Sequence, residues 1–302
     1  MPAVYPTEHV VASFPSENVL LLTMQRPKVN ALNTGQSPLF RGSKVRNWLR
    51  MADDTLPCIT SVLWLEIGKH MDVASADSNV RCVVLASGLD KIYTTGLDLT
   101  ESGLNHNGTD AGRLALQHRA YIKLLQDAVS AIERCDKPVI AAVHGICLGG
   151  GIDIIASADI RYAAEGSTFS IKEVDVGLAA DVGSLQRLPK TTASASLLNE
   201  LALTARNFDP QEAYQLGLVS KVVPGGKDGV LKAALDTAKV IASKSPIATL
   251  GTKHLLNYSR EHTTQEGLEY TRIWNMSMLQ AQDLPDAFAA FATKKPAKFG
   301  KL

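Results

Sequence analysis

Three carboxylates follow a run of glycines closely enough to share one site. Gly149, Gly150 and Gly151 come after an apolar run at 138–143 and open a helix-like segment. Glycines in such a turn let the backbone approach a ligand, and the first N–H groups of the helix behind it have no intrahelical acceptors. The turn is therefore an anion site, or an oxyanion hole where the charge develops only during reaction. Asp153, Glu173 and Asp181 come next, in mostly apolar company. An N–H cradle beside carboxylates is the equipment for moving protons alpha to a carbonyl.

Each residue also has a plainer role. Asp153 falls where a first-turn carboxylate complements the helix dipole, and Glu173 and Asp181 could be solvated loop charges, as Asp175 is expected to be. His144 is expected to be a packed imidazole and Cys147 a small buried residue. Trp274, Met276 and Met278 sit at near-helical spacing and are expected to serve core or subunit packing. Lys91, Lys294 and Lys298 receive no role. Spacing alone does not choose between these readings and the chemical one.

The elements that must position the site follow from hydrophobic patterning. Short valine- and leucine-rich runs at 18–24, 80–86, 138–143 and 160–163 predict buried strands. Helical patterns cover 62–71, 111–133, 193–204, 210–216, 230–243, 247–258, 264–282 and 285–293. Strands alternating with helices, then helices alone, predict an α/β core over residues 1–230 and a helical region over 231–302.

Composition narrows the class. A hydrophobic content of 45% and a charged content of 20% describe an ordinary globular protein. The net charge of +1, without a basic block, argues against nucleic-acid or membrane-surface binding. The most apolar stretch, 138–160, is interrupted by His144, glycines, Asp153 and Asp159, so no membrane span is expected. Cys58, Cys82, Cys135 and Cys147 lack metal-like spacing, and a reduced intracellular state is the simple reading. The first 26 residues carry Glu8 and Glu17 and no Lys or Arg before Arg26, unlike a mitochondrial presequence. The terminal Gly300-Lys301-Leu302 is close to a Ser-Lys-Leu peroxisomal address.

Residues 35–61 fit poorly between the turn at 30–34 and the helix that follows, because structureless loops of this length are uncommon in compact cores. They read as an insertion, either a genuine surface loop or a retained intron. The codons of Gly35-Gln36-Ser37 and Ser61-Val62 can hide a splice donor and acceptor. A tryptic peptide VNALNTGQSPLFR from the native source decides for the loop, and VNALNTVLWLEIGK for the intron.

The motifs in order resemble the enoyl-CoA hydratase/isomerase (crotonase) superfamily, and within it the Δ3,5-Δ2,4-dienoyl-CoA isomerases. The resemblance runs from about residue 19 to 299, interrupted by 35–61. It is carried by RPKVNALN, ASGLDKIYTTGLDL, KPVIAAVHGICLGGGIDI, ARNFDPQEAYQLGLVSKVV, SKSPIATLGTKHLLNYSR and WNMSMLQAQD. The carboxylates point to the subgroup: hydratases carry glutamate at the positions matching Asp153 and Glu173, and monoenoyl isomerases rely mainly on the latter. Dienoyl isomerases match this chain in having Asp153, Glu173 within KEVDVGLAAD, and Asp181.

The resemblance implies a crotonase-like α/β spiral of ββα turns with a helical C-terminal trimerisation region, assembling as a homotrimer or homohexamer. It implies an acyl-CoA thioester substrate and isomerisation of 3,5-dienoyl-CoA to 2,4-dienoyl-CoA, with Glu173 serving C2, Asp181 serving C6 and Asp153 tuning Glu173. Thr95, Gly96, Leu97 and Asp98 would form one side of the oxyanion loop and Gly150 the other, with N–H donors from Leu97 and Gly150. No cofactor is implied; coenzyme A enters with the substrate. Peroxisomal residence is the expectation, with the mitochondrion as alternative. The rivals are an enoyl-CoA hydratase, disfavoured by the shorter Asp153, a non-catalytic crotonase-fold subunit, and an RNA-binding member of the superfamily, opposed by the charge.

Overall fold

The computed structural model describes residue 5 and residues 9–25, 62–96 and 110–302. Residues 35–61, together with Leu97 and Asp98, lie outside the described residues. A hairpin of β1 (Val10–Ser16) and β2 (Val19–Met24) leads to α1 (Val62–Ala76). Three turns of similar plan follow, each laying a longer strand in one sheet and a three-residue strand in another. These are β3 (Cys82–Ser87) with β4 (Ile92–Thr94), β5 (Val139–Val143) with β6 (Ile146–Leu148), and β7 (Ile160–Ala164) with β8 (Thr168–Ser170). Helices α2 (Ala111–Arg134) and α3 (Gly150–Ala156) close the first two turns. The third runs through a 3-10 turn, Glu173–Val176, into α4 (Ser184–Thr191), α5 (Ala195–Thr204) and α6 (Pro210–Leu216). Strand β9 (Lys221–Val223) precedes α7 (Gly226–Ala242), α8 (Pro246–Ser259), α9 (Thr264–Met278) and α10 (Asp283–Thr293).

The large sheet has the order β1-β2-β3-β5-β7-β9 and the small one β4-β6-β8. All pairings are parallel except β1 with β2. This is the spiral of ββα turns that the resemblance implies. Because parallel strands are joined by crossovers, both faces of the large sheet are covered, which is why β5 reads as the unbroken apolar run VIAAV. Side chains alternate along each strand: Leu20, Leu22, Val83, Leu85, Val139 and Ala141 enter the main core with α1 and α2. Their neighbours Val19, Cys82, Val84, Ile140 and Ala142 face Val230, Ala234, Ala238 and Ala242 of α7. That alanine row, at every fourth residue, brings the helix close to the sheet.

The strands expected at 18–24, 80–86, 138–143 and 160–163 are present within a residue or two at each end. Strands β1, β4, β6, β8 and β9 and helix α4 go beyond the sequence expectations. At the far end of the chain, Arg81 donates to the carbonyls of Ala242, Phe299 and Gly300, laying the tail against the sheet. Lys253 of α8 is buried and reaches Asp159 at 2.8 Å and the carbonyls of Ile132 and Lys137 at 3.2 and 3.1 Å. Among the described residues, no helix is long and apolar enough to cross a membrane.

Candidate active site

The glycine turn is built where β6 ends and α3 begins. Gly149 caps α3 at φ 51°, ψ −121°, a conformation that requires glycine, and its N–H donates to Ser170 O of β8 at 3.0 Å. The turn thereby belongs to the small sheet, while Gly150 N–H stands in the first turn of α3, where no intrahelical acceptor exists. Gly96, just past β4, closes on it from the other side. Its φ is +82°, and a Cβ there would lie 2.9 Å from Leu148 O and 3.0 Å from Gly150 N. Gly151 is equally constrained, since a Cβ would meet Thr94 Cγ2 at 2.7 Å and Cys147 Sγ at 3.1 Å. The chain places Gly96 and Gly150 side by side, with half-buried Thr95 next to them. Leu97, the expected second donor, and Asp98 are not among the described residues.

Glu173 begins the 3-10 turn directly below this cradle. Its Oε1 would lie 3.4 Å from a Cβ at Gly149, and its Oε2 is buried without a hydrogen-bond partner. Burial foremost, then the charges of Asp153 and Asp181, pushes its pKa up to about 7. The adjacent cation does not relieve it, because Lys172 sends its ammonium to Asp175 at 2.6 Å and to Ala205 O at 3.1 Å. Asp175 is thus exposed, as the sequence suggests, and paired with Lys172.

Asp153 is 1% exposed, and its Oδ1 accepts from Ser184 N–H at 2.6 Å. A carboxylate that merely complemented its own helix dipole would not reach into the first turn of α4. Burial pushes its pKa up to about 6 against the opposing pull of Ser184 N–H. Asp181 lies at the other end of the same loop, half-buried, with burial raising its pKa as well. Its backbone carbonyl accepts from Gln126 Nε2 of α2 at 2.7 Å. Tyr121, also on α2, has a buried hydroxyl without a partner, and its phenol is pushed up to about 12 by burial and by the charge of Asp181.

The described part of the expected site therefore converges. Gly96, Gly150 and Glu173 meet at the turn, and Asp153 and Asp181 are linked through the loop that ends at Ser184. All three carboxylates hold their protons more tightly than free side chains do, the condition expected where groups exchange protons near neutral pH. His144, Cys147 and Trp274 take packing roles, whereas Met276 is exposed. His144 is buried with Nε2 2.6 Å from Leu89 O, Cys147 is buried, and Trp274 stacks on His254 at 4.4 Å between α8 and α9. Ser184, Gln126, Tyr121 and Arg187 are site neighbours that sequence reasoning missed. Gln126 belongs to a polar face of α2 whose pattern is that of any solvated stripe, so it carried no signal.

A family model described as Enoyl-CoA hydratase/isomerase matches residues 54–301. The mitochondrial Delta(3,5)-Delta(2,4)-dienoyl-CoA isomerase of Homo sapiens is 48% identical over 250 residues, 81% of this chain and 76% of that protein. The peroxisomal protein of the same name from Arabidopsis thaliana is 44% identical over 243 residues, 79% of this chain and 86% of its own length. Among solved structures, an enoyl-CoA hydratase from Bacillus anthracis superposes with a TM-score of 0.79 at 23% identity, covering 97% of this chain and 99% of that one. At that identity the likeness concerns the fold.

Proposed function

Because the chain belongs to the enoyl-CoA hydratase/isomerase family, we propose that it converts a 3,5-dienoyl-CoA into the 2,4-dienoyl-CoA isomer during oxidation of unsaturated fatty acids. One observation carries the choice of isomerase over hydratase. Asp153 is buried with one oxygen committed to Ser184 N–H, so it is poorly disposed to hold a reactant water with Glu173. The relatives named dienoyl-CoA isomerases, at up to 48% identity, support the same reading.

In the proposed reaction, the thioester oxygen sits in the cradle at Gly150 N–H; the second donor that the resemblance implies, Leu97 N–H, lies outside the described residues. Glu173 takes a proton from C2; the C–H pair forms C1=C2 and the carbonyl π pair moves onto oxygen, giving an enolate conjugated with C3=C4 and C5=C6. Asp181 then gives its proton to C6: the C5=C6 π pair forms the new C–H bond, the C3=C4 pair moves to C4=C5, the C1=C2 pair of the enolate moves to C2=C3, and an oxygen pair restores the thioester C=O. The shift is intramolecular and without net redox, so it calls for no metal, nicotinamide or flavin. Glu173 ends protonated and Asp181 ionised, and exchange with solvent or through Asp153 restores both. Glu173 is suited to the first step because a dry carboxylate is a stronger base than a solvated one.

The test is turnover of 3,5-octadienoyl-CoA, read by the ultraviolet absorbance of the conjugated product, with crotonyl-CoA in parallel. Fast isomerisation with little hydration is expected; dominant hydration would reassign the chain to the hydratases. We further propose a homotrimer or homohexamer, supported by apolar side chains exposed on α9 and α10. Peroxisomal residence is proposed, supported by the peroxisomal Arabidopsis relative, with the mitochondrion as the alternative that the mammalian relatives' names support. Imaging of the native protein separates the two.

A further inference from the structure

We infer that Gln126 and Arg187 are positioning residues for the Asp181 carboxylate, acting through the backbone of the 181–184 loop. The inference rests on the proposed isomerisation. Helix α2 presents Gln126, Ser130 and Glu133 at i, i+4 and i+7, one stripe that faces this loop. Gln126 Nε2 donates to Asp181 O at 2.7 Å. Arg187, on the first turns of α4, donates through Nη2 to Ser130 Oγ at 2.8 Å and through Nε to Glu133 Oε2 at 3.0 Å. The fork-shaped guanidinium is thereby held in a single pose.

That pose lays the guanidinium against the loop itself. Gly183 has φ +135°, and a Cβ on it would fall 1.9 Å from Arg187 Nη1. The guanidinium occupies the space that any other residue at 183 would need, two positions beyond Asp181. Glu133 is anchored in turn by α8 and its C-cap: Arg260 Nη1 meets Oε1 at 3.2 Å, and Asn257 Nδ2 donates to the backbone carbonyl at 3.2 Å. On the other side, Ser184 N–H is bound to Asp153. The loop is therefore tied at its first residue by Gln126, at its glycine by Arg187, and at its last residue by Asp153. The direction of the Asp181 side chain follows from the backbone those ties set.

Neither Gln126 nor Arg187 is placed at the reacting atoms, so their removal should affect one proton transfer and spare the other. Arg187 and Gln126 also border an open cleft of about 270 Å³, where a shortened side chain is replaced by water, not by a void in the core. The test uses the full chain with Gln126→Leu and Arg187→Lys. The lysine keeps the charge but cannot fork to Ser130 and Glu133 together. In D2O, exchange at C2 of recovered 3,5-octadienoyl-CoA reads the Glu173 step, and deuterium at C6 of the product reads the Asp181 step.

Each variant is expected to lower kcat about 10- to 100-fold, the scale of a small misplacement of a reacting group. KM should stay within about twofold and C2 exchange near the wild-type rate, so the loss appears at C6. Wild-type kcat in both variants, or equal loss at C2 and C6, overturns the positioning role, since a general loss of folded enzyme lowers both alike. If Arg187→Lys does not fold, Gln126→Leu alone decides, because it removes one bond at the cleft edge. Wild-type protein that exchanges neither position overturns the isomerase reading itself, an outcome distinct from wild-type turnover with unaffected variants.

Discussion

Glu173 is held in a condition that serves chemistry at the expense of stability. Its pKa of about 7 lies above the ordinary 4.5, so between those values the folded chain holds a proton that the unfolded chain has released. The stability associated with this group is fully present below pH 4.5 and is lost as pH rises through about 7. Glu173→Gln should therefore melt at a higher temperature than wild type at pH 8 and at nearly the same temperature at pH 4, measured by calorimetry. The same substitution should lower kcat by roughly 10²- to 10⁴-fold, the contribution of a general base. In the wild type, kcat/KM should fall as pH drops through about 7, with an apparent value that belongs to the three coupled carboxylates. A Glu173→Gln variant that turns over normally would sink the assignment. Asp153, Glu173 and Asp181 were legible in the sequence only through their order within a recognised set of motifs, because nothing local separates a first-turn aspartate from a dipole partner. Ser184 and Arg187 were not legible: their partners lie 31 and 54 residues away, and only the folded chain brings them together.

The elements around the site depend on close backbone approach more than on long regular structure. Strands β4, β6 and β8 have three residues each, too few for any hydrophobic period to register, yet they carry both glycine turns. Strands β2, β3, β5 and β7 and the helices from α5 onward were readable because their apolar patterns persist, whereas the largely exposed or half-buried β1 offers no such run. Short elements tolerate little added volume. Gly151→Ala should destabilise the fold by about 1–3 kcal/mol in denaturant melts, since its Cβ would meet the methyl of buried Thr94. Adding Thr94→Ser removes that methyl while keeping the oxygen that accepts from Gly96 N–H, and should recover part of the loss. Simple additivity of the two changes would show that the contact does not set the spacing of the cradle.

At the scale of the whole molecule, the ββα spiral was legible from the alternation of strand and helix together with the resemblance. The burial of both sheet faces followed from the valine-rich runs. What the exposed helices meet was not legible, because an amphipathic helix reads alike whether it faces its own core or another chain. Met276 is 69% exposed and Phe291 86%, amounts of apolar surface that an isolated chain has no evident use for. Light scattering should accordingly give a mass of three or six chains, and charged substitutions at Met276 and Phe291 should lower it; a wild-type monomer would remove this support.

Lys253 carries a separate consequence. Its ammonium closes the carboxylate of Asp159 and two core carbonyls beneath α8. Lifting that helix would draw a buried ammonium off its carboxylate and two carbonyls and leave that carboxylate without its partner, a larger cost than separating two apolar surfaces alone. The helical end of the chain is thereby latched to the sheet, and the two should come apart together, at one temperature, as a single cooperative block.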